Sequence, residues 1–151
     1  MKIDAINKKI LFLLQKDARI SYKEIAAELK RSETTIRDRI KAMERVGIIQ
    51  GYTALIDKKT LGLNFIAIIF ANPTTSSDLD AITEKVKKVK NVMRIYQISG
   101  DHRMAIFMVA PSYKDLKEII RTQLLPLGLR DEEIVSVLEA DREFISPLEI
   151  P

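Results

Sequence analysis

The sequence predicts an α+β protein in which an N-terminal helix-turn-helix unit of three helices is joined by a strand to a C-terminal βαββαβ unit of the ferredoxin-like type. Three observations support this prediction. Capped amphipathic helices follow one another closely near the start, strand and helix periodicities alternate after them, and the basic surplus is confined to the first part of the chain. We expect the helical unit at 1–50, the connecting strand and linker at 51–62, and the second unit at 63–151.

Charge is distributed unevenly along the chain. Residues 1–60 hold 14 Lys/Arg against 8 Asp/Glu, whereas residues 61–151 hold 11 against 13. A basic unit attached to a slightly acidic one is typical of a protein that brings one part to a polyanion such as nucleic acid. The alternative is a solvated lysine-rich surface that has no such partner.

The first two helices have clear start signals. Asp4 can cap a helix from Ala5 to Lys16. An apolar stripe lies on one side of that helix: Ile6, Ile10, Leu13 and Leu14. Ser21 and Glu24 have the spacing of a capping box, which opens a short second helix ending near Leu29. The third helix starts almost at once, so the chain must turn sharply, as it does in helix-turn-helix proteins.

The third predicted helix runs from Ser32 to Val46 and carries the candidate DNA-binding face. Ile36, Ile40 and Met43 recur at helical spacing, which predicts a buried side. The opposite arc holds hydroxyl and charged side chains that can meet phosphates or base edges: Thr34, Arg37, Asp38, Lys41 and Arg45. The alternative is an ordinary amphipathic helix of a small bundle, whose charges meet only water.

Strand and helix signals alternate in the rest of the chain. After Gly47, β-branched and aromatic residues predict a strand from Ile48 to Asp57. The later strands are predicted at Asn64–Ala71, Val92–Ser99, Met104–Ala110 and Ile134–Ala140. The two helices between them have apolar stripes at Leu79, Ile82, Val86 and Val89, and at Leu116, Ile119, Ile120 and Leu124. This order is that of the ferredoxin-like sandwich, whose helices cover one face of an antiparallel sheet.

The predicted sheet is apolar on both faces. Its first strand places Phe65, Ala67 and Ile69 on one face and Ile66, Ile68 and Phe70 on the other. A sheet with one face in water should alternate apolar with polar residues. We therefore expect a second copy of the chain to cover the face without helices. A two-fold homodimer would also suit two recognition helices that reach half-sites one DNA turn apart.

Composition excludes several classes of site. The chain has no cysteine, so it has no disulfide, thiolate nucleophile or cysteine metal site. His102 is the only histidine, and no Walker or dinucleotide-binding glycine pattern occurs. We therefore assign no catalytic residue, metal site or cofactor. Without a signal-type start or an apolar run of about 18 residues, the sequence predicts a cytoplasmic protein with no membrane partner.

The run LKRSETTIRDRIKAMERVGIIQGYTALIDKKTLG, from Leu29 to Gly62, resembles the Lrp/AsnC family, and the resemblance continues through the βαββαβ region. The residues that carry it are Ser32, Ile36, Arg39, Ile40, Glu44, Gly47, Ile49, Gly51, Tyr52 and Asp57. The resemblance implies a transcriptional regulator, not an enzyme, whose C-terminal unit dimerises, often forms octamers of four dimers, and senses an amino acid or related metabolite. The implied partners are double-stranded DNA, further copies of the chain and a small-molecule effector.

The same resemblance assigns the DNA contacts. Groove contacts are expected from Thr34, Thr35, Arg37, Asp38 and Lys41. The arginine at position 39 matches the family's arginine beside the apolar seam, where phosphate contact and structural pairing both remain open. A DNA-packaging protein with weak sequence preference is the alternative function, since phosphate contacts serve both. An amino-acid-metabolising enzyme is disfavoured by the basic N-terminal half and the missing catalytic pattern.

The resemblance also places an effector site near the hairpin between the second and third sheet strands and near the start of the last strand. The effector-binding candidates are Gly100, Asp101, His102, Arg103, Asp131 and Glu133. The glycine and the first acid match the family's Gly-Asp-Tyr-Asp pattern, whereas a histidine and an arginine replace the aromatic residue and the second acid. Two acids would suit a cationic ligand, while the arginine would suit a carboxylate. A charged hairpin with a solvated acidic loop is the remaining alternative.

Overall fold

The chain divides into two compact units. The structure is a computed structural model that describes residues 3–74, 79–139, 147–148 and 150. One unit comprises residues 1–55 with the C-terminal residues from 142 onward, and the other comprises residues 56–141. The first is helical and the second is an antiparallel sheet with helices, so the predicted α+β fold class is confirmed.

The helical unit consists of α1 (Ala5–Lys16), α2 (Tyr22–Leu29) and α3 (Glu33–Arg45). Each helix begins at its predicted cap: Asp4, Ser21 and Ser32 accept a backbone N–H from the first turn. These side chains satisfy donors that have no partner within a helix, which fixes where each helix starts. At the C-terminus, the N–H of Leu148 donates to the side-chain oxygen of Gln15 at 2.8 Å.

The turn between α2 and α3 depends on a left-handed residue. Lys30 has φ +51° and lies at the end of α2. The N–H of Arg31 then donates to the carbonyl of Ala26 at 3.0 Å, which satisfies an acceptor that the helix leaves open. Behind this turn the three helices share one core, in which Ile10, Ile25, Ile36, Ile40 and Met43 are fully buried.

The predicted strand from Ile48 to Asp57 is wrong for the single chain. Residues 48–57 are all described, and they form no strand. Tyr52, Leu55 and Ile56 are exposed. The described strand ladders join only the four strands of the second unit. β-branched and aromatic residues favour a strand only where a neighbouring strand supplies hydrogen bonds and packing, and here none does.

The second unit has the predicted βαββαβ order. Its elements are β1 (Phe65–Pro73), α4 (Leu79–Val86), β2 (Val92–Gln97), β3 (Met104–Ala110), α5 (Tyr113–Ile119) and β4 (Leu129–Ser136). The strands form one sheet in the order β2-β3-β1-β4, and every neighbouring pair is antiparallel. This is the ferredoxin-like arrangement.

The last strand lies earlier than predicted. β4 begins at Leu129 rather than at Ile134, because its ladder with β1 runs on to Pro73, where Leu129 pairs with that proline. The polar run after Leu129 resembles a loop in the sequence, but β4 is an edge strand, which tolerates charged side chains. Asp131 and Glu133 are therefore strand residues rather than members of an acidic loop. The predicted end, Ala140, lies outside the described residues.

Both faces of the sheet carry a set of apolar side chains, as predicted, although Arg94 and Glu133 also lie on the face away from the helices. On the helix-covered face, Ala67, Ile69, Met104, Ile106 and Met108 are buried beneath α4 and α5. The strand register places a second apolar set on the opposite face, which we call the open sheet face: Ile66, Ile68, Phe70, Tyr96, Phe107 and Val135. Tyr96 is 49% exposed and Val135 is 38% exposed, whereas the other four are half-buried.

Candidate DNA-binding and effector sites

The outer side of α3 carries most of the predicted DNA-binding residues. Ile36, Ile40 and Met43 turn toward the core of the helical unit and are fully buried. The side chains left outside include hydroxyl, acidic and basic groups, and they are exposed: Thr34, Asp38, Lys41 and Arg45. This helix therefore presents a polar, partly cationic surface on a rigid element, which is what recognition of phosphates and base edges requires.

Arg37 is oriented by two neighbours. Its guanidinium donates to Glu33, one turn earlier on α3, at 2.9 Å. It also lies over the ring of Tyr22 on α2, 5.8 Å from the ring centre. The side chain remains 43% exposed. Arg37 thus contacts Glu33 and Tyr22 while it stays accessible from outside.

Thr35 takes part in the helix cap. Its backbone N–H donates to the hydroxyl of Ser32 at 3.1 Å, and the two hydroxyl oxygens lie 2.7 Å apart. The hydroxyl of Thr35 is therefore engaged at the start of α3. Thr34, by contrast, points its exposed side chain outward.

Arg39 faces α1 rather than the outside. Its guanidinium donates to a carboxylate oxygen of Asp4 at 2.7 Å and to the side-chain oxygen of Asn7 at 2.9 Å. The pKa of Asp4 is lowered, first by the backbone N–H of Asn7 and next by the hydrogen bond from Arg39. Of the two roles left open by the sequence, this geometry favours structural pairing.

Tyr52 was not predicted as a functional residue, yet it contacts α3. Its hydroxyl donates to the carboxylate of Glu44 at 2.9 Å. Burial raises the pKa of Tyr52 to about 12, with Glu44 adding to the effect. The segment after α3 is therefore attached to the last turns of that helix. Both residues belong to the family pattern noted in the sequence, which was the only signal for this pair.

Asn72 near the end of β1 is hydrogen-bonded to the backbone of the hairpin between β2 and β3. Its amide nitrogen donates to the carbonyl of Asp101 at 3.0 Å, and its amide oxygen accepts the N–H of Arg103 at 3.0 Å. Gly100, beside them in the hairpin, has φ +112°, which favours glycine. Sequence reasoning missed Asn72, because its role depends on a long-range contact.

Two of the other effector candidates, His102 and Glu133, lie toward the open sheet face. The half-buried His102 ring lies 5.9 Å from the ring of Phe70, which belongs to the open sheet face. Glu133 pairs with Phe70 across the β1–β4 ladder and therefore lies on the same face. For Asp131 the structure describes only the backbone. Among the predicted effector residues whose side chains are described, His102 and Glu133 thus lie toward the open sheet face, whereas Arg103 lines a small cavity beside Asn72.

Cavities open on the described part of the second unit. A small one of about 140 Å³ is lined by Asn72, Pro73, Leu79, Arg103 and Arg130. Arg103 is a predicted effector residue, whereas Arg130 was missed, although it immediately precedes a predicted one. A larger cavity of about 540 Å³ lies between α5 and β4, and its lining mixes apolar residues with charges of both signs. None of the described residues that line it is a predicted effector residue.

Within the described residues, no group of three His, Cys, Asp or Glu side chains could hold a metal ion. No helix in that part of the chain is both long enough and apolar enough to cross a membrane.

Two family models match the chain. Residues 3–50 match a winged helix-turn-helix DNA-binding family, and residues 64–140 match the Lrp/AsnC ligand binding domain. The HTH-type transcriptional regulator LrpA of Pyrococcus horikoshii is 40% identical over 122 residues, which are 81% of this chain and 86% of that protein. The chain belongs to the Lrp/AsnC family. The resemblance stated from the sequence is thus confirmed, and the protein is a DNA-binding transcriptional regulator rather than an enzyme.

Other Lrp/AsnC relatives agree with this identification. The HTH-type transcriptional regulator Ptr1 of Methanocaldococcus jannaschii is 32% identical over 127 residues, covering 83% of this chain and 84% of that protein. The structure of Escherichia coli AsnC superposes with a TM-score of 0.86 at 24% identity, covering 97% of this chain and all of that one. A transcriptional regulator from Neisseria meningitidis in complex with L-Met gives 0.88 at 22% identity, covering 96% of each chain. These two structures support the fold.

Proposed function

We propose that this protein is a sequence-specific transcriptional regulator that acts in the cytoplasm and whose DNA binding or assembly responds to an amino acid or a related small metabolite. The observation that carries the proposal is the two-sided character of α3. Its apolar side is fully buried in the core, while Thr34, Asp38 and Lys41 project outward and Arg37 remains partly exposed beside Tyr22. Such a helix can enter the major groove without rearrangement of the protein.

The outer face of α3 favours recognition of specific bases over DNA packaging with weak sequence preference. A packaging protein contacts mostly phosphates, for which every acid on the contact surface is unfavourable. α3 keeps Asp38 exposed among its cations, and a carboxylate can accept a hydrogen bond from cytosine in the major groove. The accessible guanidinium of Arg37 suits the paired acceptors of guanine. These features support sequence preference.

The open sheet face supports a homodimer. It brings six apolar side chains together on one side of an antiparallel sheet, where a monomer should present polar ones. A second copy of the chain, related by two-fold symmetry, would bury this face and carry a second α3 for the other half of an operator. Residues 48–57, which have strand-forming side chains without a ladder partner, also suit pairing with a second copy. Assembly of four such dimers into an octamer is part of this proposal.

Footprinting on genomic fragments tests the function. The wild-type protein should protect discrete sites, and one of the twenty amino acids or a related metabolite should change the extent of protection. Lys41→Ala should weaken protection at those sites, whereas Lys9→Ala, which removes an exposed lysine of α1 in the same unit, should leave it unchanged. Uniform coverage of all fragments that no metabolite alters would instead identify a packaging protein.

A further inference from the structure

We propose that Tyr22 of α2 is a positioning residue for Arg37 of α3 and thereby helps to determine which bases the regulator recognises. The guanidinium of Arg37 lies over the ring of Tyr22, with its carbon 5.8 Å from the ring centre. The inference rests on the proposed function, because it concerns how Arg37 would meet a base in the major groove. Sequence reasoning assigned Tyr22 no role.

The place of Tyr22 is set by the start of α2, of which it is the first residue. The N–H of Ser21 donates to the carboxylate of Glu24 at 2.8 Å, and the N–H of Glu24 donates to the hydroxyl of Ser21 at 3.2 Å. This capping box determines where the helix begins and therefore where its first side chain leaves the backbone. Tyr22 is half-buried and packs against the core of the helical unit. The fold thus supports the ring from the core side.

Of the two neighbours of Arg37, Tyr22 restricts it more than Glu33 does. The Arg37–Glu33 ion pair is 2.9 Å long, but the two side chains are 43% and 49% exposed and lie one turn apart on the same helix. Such a pair contributes little, because water screens the charges and both side chains must be ordered to form it. The ring of Tyr22 belongs to another helix and rests on the core, so it limits the positions that the guanidinium can take.

Both contacts of Arg37 are compatible with base recognition. Glu33 accepts a hydrogen bond from Nη2 of the guanidinium. The attraction between a cation and the face of an aromatic ring requires no hydrogen-bond donor. Because a guanidinium carries five N–H donors, Arg37 can donate to both acceptors of a guanine while it keeps these neighbours. Tyr22 therefore does not compete with a base for the donors of Arg37.

A positioned guanidinium favours specific over unspecific binding. Contact with a phosphate depends mainly on charge and carries no sequence information, whereas a paired contact with guanine requires a defined direction of the donors. An arginine whose positions are already limited loses less conformational freedom when it forms the directed contact. The ring of Tyr22 should therefore contribute more to the affinity for an operator than to the affinity for unrelated DNA.

Gel-shift titrations with the full-length protein test the inference. The quantity measured is the ratio of the affinity for a site found by footprinting to the affinity for an unrelated duplex of equal length. Tyr22→Leu removes the ring but keeps an apolar side chain against the core, and it should lower the ratio about two- to fivefold, as expected for an exposed cation–π contact. Tyr22→Phe keeps the ring and should keep the ratio. In an Arg37→Ala background, Tyr22→Leu should lower the ratio no further.

A matched control separates positioning from stability. Leu13→Ala removes apolar contacts with the same core from α1 and should destabilise the helical unit. It should leave the affinity ratio unchanged when all titrations are made well below the melting temperatures of the variants. Thermal melts of each variant supply those temperatures.

Several outcomes would overturn the inference. An unchanged ratio in Tyr22→Leu would show that the ring is not needed, and an equal loss in Tyr22→Phe would assign the effect to the hydroxyl. An undiminished loss in the Arg37→Ala background, or an equal loss in Leu13→Ala, would show that the effect does not act through Arg37. If footprints are discrete and Tyr22→Leu keeps the ratio, the inference fails while the proposed function stands. If coverage of DNA is uniform and no metabolite changes it, the proposed function fails and the inference fails with it.

Discussion

Arg39 of α3 and Asp4 at the start of α1 are joined by a hydrogen bond of 2.7 Å, and the same carboxylate accepts the N–H of Asn7 as a helix cap. One acid therefore fixes where the first helix starts and where the third helix lies against it. Only 29% of the Arg39 side chain is exposed. One carboxylate thus serves both as a helix cap and as a partner in an ion pair, and it joins the start of α1 to the middle of α3.

Replacing either member of this pair should destabilise the helical unit. Asp4→Ala loses the cap and the ion pair together, whereas Arg39→Ala leaves the cap intact, so the first change should lower the melting temperature more. The effects should not be additive in the double variant, because the two residues share one interaction. Thermal melts of the four proteins measure this. Equal stability of Arg39→Ala and wild type, with loss of DNA binding, would instead identify Arg39 as a DNA contact.

The Asp4 contact should also make the stability of the helical unit depend on pH in the acid range. The pKa of Asp4 is lowered from its ordinary value of 3.8 in the folded chain. Its contribution is therefore complete above that ordinary value and is lost as the pH falls through the lowered pKa. The melting temperatures of wild type and Asp4→Asn should differ at neutral pH and converge in acid. A difference that stays constant down to the lowest pH would contradict this explanation.

Tyr52 should produce the opposite dependence in alkali. Its pKa is raised from 10.0 to about 12 in the folded chain. The neutral phenol thus contributes stability that is complete below pH 10.0 and is lost as the pH rises through about 12. A spectroscopic titration of tyrosine ionisation should show a late step that is missing in Tyr52→Phe. Tyr113→Phe, which changes an exposed tyrosine of the other unit, serves as the control.

Substitutions on the outer side of α3 should weaken operator binding without unfolding the protein. Arg37→Ala and Lys41→Ala should each cost about 1–3 kcal/mol if a base contact is lost. Loss of a phosphate contact should instead reduce the dependence of the binding constant on salt. Gel-shift titrations at several salt concentrations separate these cases. Wild-type affinity and salt dependence in both variants would remove α3 from the groove.

A new acid among the apolar side chains of the open sheet face should weaken assembly of the protein. Val135→Asp places a carboxylate at a position that is 38% exposed in the single chain, so folding of the chain should persist. In a dimer the same carboxylate would be buried without a partner, and the dimer Kd should rise roughly tenfold or more, about 1.4 kcal/mol. Sedimentation equilibrium measures the change against Gln123→Asp, an exposed position outside this face. Equal association of the two variants would exclude this face as the interface.

Sequence reasoning succeeded where local physics decides the outcome. α1 and α2 have their predicted bounds because a capping side chain and an apolar stripe act within one or two turns. β3 was also predicted correctly, as a short apolar run between turn signals. In these elements the propensity of each residue agrees with the contacts it makes in the folded chain.

Sequence reasoning failed where the outcome depends on a distant partner. Residues 48–57 have strand propensity but no ladder in the single chain. β4 begins earlier than predicted because its first residues pair with β1, and this pairing cannot be read from the composition of the segment. The pairing of Asn72 with Arg130 follows from that register. The small cavity that both residues line could therefore not be predicted from the sequence. Arg103 was predicted as an effector residue only because it replaces the second acid of the family's Gly-Asp-Tyr-Asp pattern.

Lys30 sets the angle between α2 and α3 through its backbone, which is left-handed although the residue carries a side chain. A side chain restricts the conformations that glycine would sample, so the two helices leave the turn in nearly one direction. Because this turn is rigid, DNA binding should require little loss of conformational entropy in the protein. Substitution of the outward side chains of α3 can then change the DNA sequence that is recognised, while the orientation of the helix stays the same.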